Sequence, residues 1–126
     1  MKTKIDVCDV EGVKVDQIGQ IFDSKDFKEE SILHYEGQIP VVAYFVSSGS
    51  IDLIKNNKTR FSVKKGQILG LKELYFHSSS GVKAVAKANS TLHFIDYSTI
   101  KEIMGRPEDD ATRRTFEELI EKPYKF

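Results

Sequence analysis

The stretch Val41-Val42-Ala43-Tyr44-Phe45-Val46-Ser47-Ser48-Gly49-Ser50-Ile51-Asp52-Leu53 decides how this chain is read. It opens on an unbroken apolar run from Val41 to Val46. A run that short and that apolar fits a strand buried on both faces. Ser48-Gly49 ends it, and Ser50 to Leu53 then alternates polar and apolar, as a strand with one wet face does.

The same pattern repeats outward from there. Arg60-Phe61-Ser62-Val63 alternates too, and the intervening Asn56-Asn57 tolerates the left-handed backbone of a tight hairpin. Lys65-Gly66 marks a turn before the short strand Gln67-Ile68-Leu69. On the other side, Ile32-Leu33-His34-Tyr35 is a strand closed by Glu36-Gly37. Val82, Ala84, Ala86 and Ala88 make one face of a later strand, with Lys83 and Lys87 on the other, and Leu92 to Ile95 is the last. Short strands punctuated by glycine and polar turns predict a mainly β protein, a double-stranded β-helix or jelly roll of about eight strands.

The period changes near both ends, predicting short flanking helices. One strand is expected from Ile5 to Val10. Val15, Ile18, Ile21 and Phe22 then recur at helical spacing, predicting a short helix from Asp16 to Phe22. After Asp96, which suits a helix N-cap, Tyr97, Ile100, Ile103 and Met104 share a helix face, and Gly105 is the natural stop. Pro107 fits the first turn of a further helix to Glu121, with Glu108, Asp109 and Asp110 at its positive end. Thr112, Phe116, Leu119 and Ile120 form its less polar stripe, and Pro123 ends it. One domain is expected over residues 1–126: a helical or extended lead at 1–26, a β-roll at 27–96, and C-terminal helices at 97–122.

Composition narrows the function classes. The 126 residues are 40% hydrophobic and 30% charged, with 19 basic and 19 acidic side chains. Zero net charge gives no global pull toward nucleic acid or an anionic membrane. Cys8 is the only cysteine, so no intrachain disulfide forms, and a reducing, cytoplasmic setting is expected. No apolar run is long enough for a signal peptide or a membrane span. His34, His77 and His93 lack the close His-x-His pairing of a jelly-roll metal site, and no Gly-rich phosphate loop occurs, so no enzyme and no metal are expected. The residues after Gly105 leave room for one helix with an acidic start, so direct DNA binding is not expected either.

Three pieces in order carry a family resemblance. Phe27-Lys28-Glu29-Glu30-Ser31-Ile32-Leu33-His34-Tyr35-Glu36-Gly37 opens with a strand and a Glu-Gly turn. Tyr44-Phe45-Val46-Ser47-Ser48-Gly49 ends twelve residues after Gly37, and Gly66 and Gly70 fall at later turns. Ile95-Asp96 then leads into an amphipathic helix. From about Phe27 to Met104 the chain resembles the cyclic-nucleotide-binding domains of bacterial catabolite activators, kinase regulatory subunits and nucleotide-gated channels.

The resemblance implies a ligand cassette from Gly70 to Lys83. A glutamate after the Gly70 position would bind the ribose hydroxyl, and here that residue is Leu71, with Lys72 and Glu73 behind it. An arginine near Gly81, Val82 or Lys83 would neutralise the cyclic phosphate, yet no arginine lies between Arg60 and Arg106. Each charge-assisted hydrogen bond contributes about 1.5–3 kcal/mol. Losing two therefore weakens binding by about two to four decades. The backbone N–H groups opening a helix after Gly70 are a remaining anion attractor. Ser78-Ser79-Ser80-Gly81 reads either as a surface loop or as a source of hydroxyl and amide donors. Lys72 and Lys83 read as solvated surface charge or, alternatively, as substitute phosphate ligands.

The expected function is thus a stand-alone, degenerate cyclic-nucleotide-binding-like domain that works as a protein-interaction adaptor or scaffold in signalling. The alternative is a small signalling receptor that holds a cyclic nucleotide, or another anion, in an altered mode. No cofactor is expected, and a cyclic nucleotide is the disfavoured exception. The partner is expected to be a protein, met through Arg113, Arg114, Phe116, Leu119 and Ile120 on the last helix, with homodimerisation as one such contact. Tyr124 and Phe126 are either docked on the barrel or part of that surface.

Overall fold

Most of the continuous apolar run is a strand buried on both faces, from Ala43 to Val46, but Val41 lies ahead of that strand and is exposed, so the expected start at Val41 is corrected. The computed structural model describes residues 4–124. In chain order its elements are Val7–Asp9 (β1), Val13–Ile21 (α1), Ser24–Phe27 (β2), Ser31–His34 (β3), Val42–Ser48 (β4), Ser50–Lys55 (β5) and Lys58–Lys64 (β6). Gln67–Leu69 (β7), Leu71–Phe76 (α2), Lys83–Ala86 (β8), Ser90–Asp96 (β9), Tyr97–Met104 (α3) and Ala111–Glu121 (α4) complete it.

The strands form two antiparallel sheets, ordered β1-β7-β4-β9-β2 and β3-β8-β5-β6. In β4, Tyr44 and Val46 face a core shared by both sheets, with Ile51, Leu53, Val63, Leu69, Ala84, Ala86 and Leu92. Ala43 and Phe45 face a second core, where Ile18, Ile68, Ile95, Ile100, Ile103, Phe116 and Leu119 meet under the helices. Period-two alternation sends neighbours on one strand to opposite faces, so a central strand covered on both sides must be apolar throughout.

The β5–β6 hairpin has Ile51 opposite Val63 and Leu53 opposite Phe61. Its turn places Asn56 and Asn57 at φ of 53° and 59°, the pair of left-handed residues that matches strand twist. Asp96 caps α3, its carboxylate accepting from Thr99 N at 3.0 Å.

Several boundaries differ from expectation. Among the described residues there are nine strands, and β2 was not foreseen: Ser24, Lys25 and Asp26 are exposed, so this edge strand shows no apolar alternation. The first strand is Val7–Asp9 and not the longer Ile5 to Val10. The last helix begins at Ala111, capped by the Asp110 carboxylate, which accepts from Arg113 N at 2.9 Å. Pro107 lies in the turn before it, where its carbonyl accepts from Asp110 N at 2.9 Å. A side-chain cap at Asp110 satisfies the helix's free amides better than a start at proline would.

Candidate functional site

Gly70 turns β7 into α2 with φ of 83°, a backbone that favours glycine. The first four residues that follow, Leu71 to Leu74, are buried, and only the end of α2 at Phe76 is exposed. Leu71 is fully buried in the core beneath the helices. Lys72 and Glu73 are each 7% exposed, which corrects the reading of Lys72 as a solvated charge.

The partners of these residues come from distant parts of the chain. Asp6, ahead of β1, is 3% exposed, and its carboxylate accepts from Lys72 N at the start of α2. Its backbone carbonyl accepts from Gly70 N at 2.9 Å. The Lys72 ammonium donates to the Ile120 carbonyl at 2.5 Å, in the last turn of α4, and lies 3.9 Å from Asp6 Oδ1. The anion held at this helix start is therefore the protein's own carboxylate. Burial, and then the charge and hydrogen bond of Asp6, push the Glu73 carboxyl up to about 8. Glu73 Oε2 is buried with no hydrogen-bond partner.

The far side of the cassette is closed as well. Ser80 is buried, and its backbone bonds both ways across to Gly37 and Gln38, at 2.7 and 2.8 Å. Its hydroxyl donates to the Val82 carbonyl at 2.8 Å. The His34 Nε2–H therefore donates to Ser80 Oγ, at 2.9 Å, which leaves the buried Nδ1 without a partner. Burial holds the His34 pKa low, against a smaller opposing effect of the Val82 backbone. Ser78 and Ser79 are exposed, so only the first half of the serine run reads as free loop.

Val82 is in the core between the sheets. Lys83 alternates outward from Ala84 and Ala86, and its ammonium sits 5.7 Å from the Tyr35 ring centroid. Gly81 is half-buried, and its carbonyl accepts from Lys55 Nζ at 3.4 Å. Lys55, which sequence reading missed, also pairs with Glu36 at 3.2 Å.

The expected contact stripe on α4 is corrected too. Phe116, Leu119 and Ile120 are buried core residues, and Phe116 meets Phe22 edge to face at 5.9 Å. An amphipathic stripe only states that something covers it, and here α4 turns it onto its own domain. Arg113 is committed within the chain, to Glu117 at 2.5 Å and to the Arg106 carbonyl. Arg114 is exposed. Tyr124 lies with its ring centroid 5.6 Å from Lys72 Nζ, while Phe126 is outside the described residues.

No protein-family model and no curated protein sequence matches the chain. Solved structures do match. The catabolite activator protein of Thermus thermophilus superposes with a TM-score of 0.69 at 17% identity, over 84% of this chain and 49% of that one. This chain therefore spans about half the length of that activator.

This is the cyclic-nucleotide-binding fold.

A chain from work on a cyclic-GMP-dependent signalling pathway in bacterial phytopathogenesis shares it with a TM-score of 0.73 at 14% identity, covering 88% of this chain and 91% of that one. A cyclic nucleotide-binding-like protein from Brucella abortus shares it with a TM-score of 0.58 at 21% identity, over 73% and 83%. Within this cyclic-nucleotide-binding roll, Leu71, Leu74 and Val82 point into cores, Lys72 and Ser80 make internal hydrogen bonds, Lys83 alternates outward, and Phe76 to Ser79 are exposed. No described helix is long and apolar enough to cross a membrane.

Proposed function

We propose that this chain is a cyclic-nucleotide-binding-like module that does not hold the nucleotide and acts through protein contact, as a non-enzymatic adaptor or scaffold in signalling. One observation carries the reading: the Asp6 carboxylate is bonded to Lys72 N at the opening of α2. A phosphate arriving there meets a buried negative charge instead of a guanidinium. Displacing Asp6 breaks its bond to Lys72 N and its pairing with the Lys72 ammonium. Leu71, at the position of the expected ribose ligand, is sealed in the core and supplies no carboxylate.

A surface for protein contact is available. Tyr35, Ile39 and Val41 are exposed and flank the Gly37-Gln38 backbone that bonds Ser80, and Phe76 is exposed at the end of α2. Arg114 adds an exposed cation on α4.

Calorimetric titration with cyclic AMP, cyclic GMP and a cyclic dinucleotide tests the proposal. The expected result is no saturable heat for any of them. Micromolar binding that Lys83→Ala abolishes would overturn it in favour of an altered-mode receptor.

A further inference from the structure

Three ionisable side chains meet out of water behind α2. Asp6, Lys72 and Glu73 are 3%, 7% and 7% exposed. They come from the segment before β1 and from the cassette helix, and Lys72 Nζ carries the contact onward to the Ile120 carbonyl at the end of α4. Just beyond α4, Lys122 Nζ donates to the Asp9 carbonyl at 2.9 Å, so the same end of the helix is tied to β1.

The charge count of this cluster depends on one proton. Asp6 and Lys72 balance each other. An ionised Glu73 adds an uncompensated negative charge in the interior, which burial strongly disfavours. A protonated Glu73 leaves the cluster neutral. The surrounding groups do not change this count near neutral pH. Cys8 on β1 is pushed up to about 12, by burial first and by Asp6 second. Tyr124 is raised by burial and by the charges of Glu73 and Asp6. Both therefore stay neutral, and the remaining cations, Lys4 beside the Tyr124 ring and Lys122 on Asp9, lie at the edge.

We propose that Asp6, Lys72 and Glu73 form a proton-controlled latch, which fastens the C-terminal end of α4 to the cassette helix while Glu73 is protonated and loosens it when that proton leaves. The inference concerns the chain's own contacts and holds whether or not the fold binds a nucleotide.

The sign follows from linkage. In a loosened state Glu73 meets water and returns to ordinary carboxylate behaviour, so docking takes up a proton. Its contribution is complete at pH values below the ordinary glutamate range. It declines as pH rises and is lost once pH passes about 8. A cell interior near neutral pH sits inside that falling region.

Nuclear magnetic resonance of the full chain, from about pH 5 to about pH 10, reads both halves of the claim. The Glu73 carboxyl carbon is expected to titrate with a midpoint near 8. The backbone amides of Ile120, Glu121 and Lys122 are expected to shift with the same midpoint. Glu73→Gln mimics the protonated acid and should hold those amides at their low-pH positions throughout. If that variant fails to fold, Lys72→Met is the second arm: without the bond to Ile120, the amides no longer follow Glu73. An ordinary carboxylate midpoint for Glu73 overturns the latch. So does a midpoint near 8 with no response at Ile120 to Lys122.

Discussion

The β5–β6 hairpin and α2 are close in sequence and opposite in what decides their surroundings. In the hairpin, each inward residue meets a partner about ten positions away: Ile51 faces Val63 and Leu53 faces Phe61. Alternation and the Asn56-Asn57 turn set those pairs locally. In α2, Lys72 finds its carboxylate 66 residues back, at Asp6, and its carbonyl acceptor 48 residues on, at Ile120. A strand announces its buried face by period. A six-residue helix with two charges announces nothing, because only the finished fold brings the compensating groups to it.

The sharpest way to break this comparison is to remove the centre of the core that α2 joins. Phe116 is fully buried, edge to face with Phe22, and grouped with Leu71 and Leu74. Phe116→Ala should cost about 3–5 kcal/mol, since the removed ring leaves a cavity that the surrounding helices only partly fill. Urea unfolding followed by circular dichroism reads the loss as a lower midpoint. If Phe116 instead served an exposed contact stripe, the cost would stay within about 0.5 kcal/mol.

The hairpin side is tested at Gly49, where β4 passes to β5 with φ of 79°. A Cβ there would lie 2.2 Å from Ser90 Oγ and 2.6 Å from Ser90 Cα. Ser90 cannot swing away cheaply, because the clash includes its backbone and its hydroxyl bonds both Ser50 N and Ser50 O. Gly49→Ala combines left-handed strain with overpacking and should cost about 2–4 kcal/mol. Thermal unfolding checks it, and an unchanged midpoint would show that the Ser-Gly strand end is a matter of composition only.

These contrasts explain which parts of the fold and site could be read in advance. The apolar run from Val42 to Val46, the Asn56-Asn57 turn, the Asp96 cap and the Gly105 stop each rest on residues within a few positions, and each is in the structure. β2 could not be read, because Ser24, Lys25 and Asp26 face solvent at a sheet edge where no core imposes a pattern. For α4 the apolar face was legible, but whether it faces a partner or its own domain is settled by long-range packing. In the cassette, Leu71 and the missing arginine were visible. Asp6 in the helix opening was not, since nothing in its sequence neighbours marks a carboxylate destined for burial.

The smallest of these effects isolates a purely local rule. Asp96 ends β9 and caps α3, accepting from Thr99 N at 3.0 Å, from the Thr99 hydroxyl at 2.8 Å and from the Ser98 hydroxyl at 2.8 Å. Asp96→Ala should cost about 1 kcal/mol at neutral pH, the usual worth of a side-chain N-cap. Partial burial works to raise its pKa, but the bonds from Thr99 and Ser98 outweigh it and hold the carboxyl below its ordinary value. A depressed pKa contributes stability that is present above the unfolded value and lost as pH falls through the folded one. The difference between wild type and Asp96→Ala should therefore shrink in acid, below the ordinary aspartate range. Glu73 has the opposite sign, since its contribution fades toward alkaline pH. A gap at Asp96 that stays constant through acid would mean the side chain acts by shape and not by charge, and the rule at the head of α3 would need another cause.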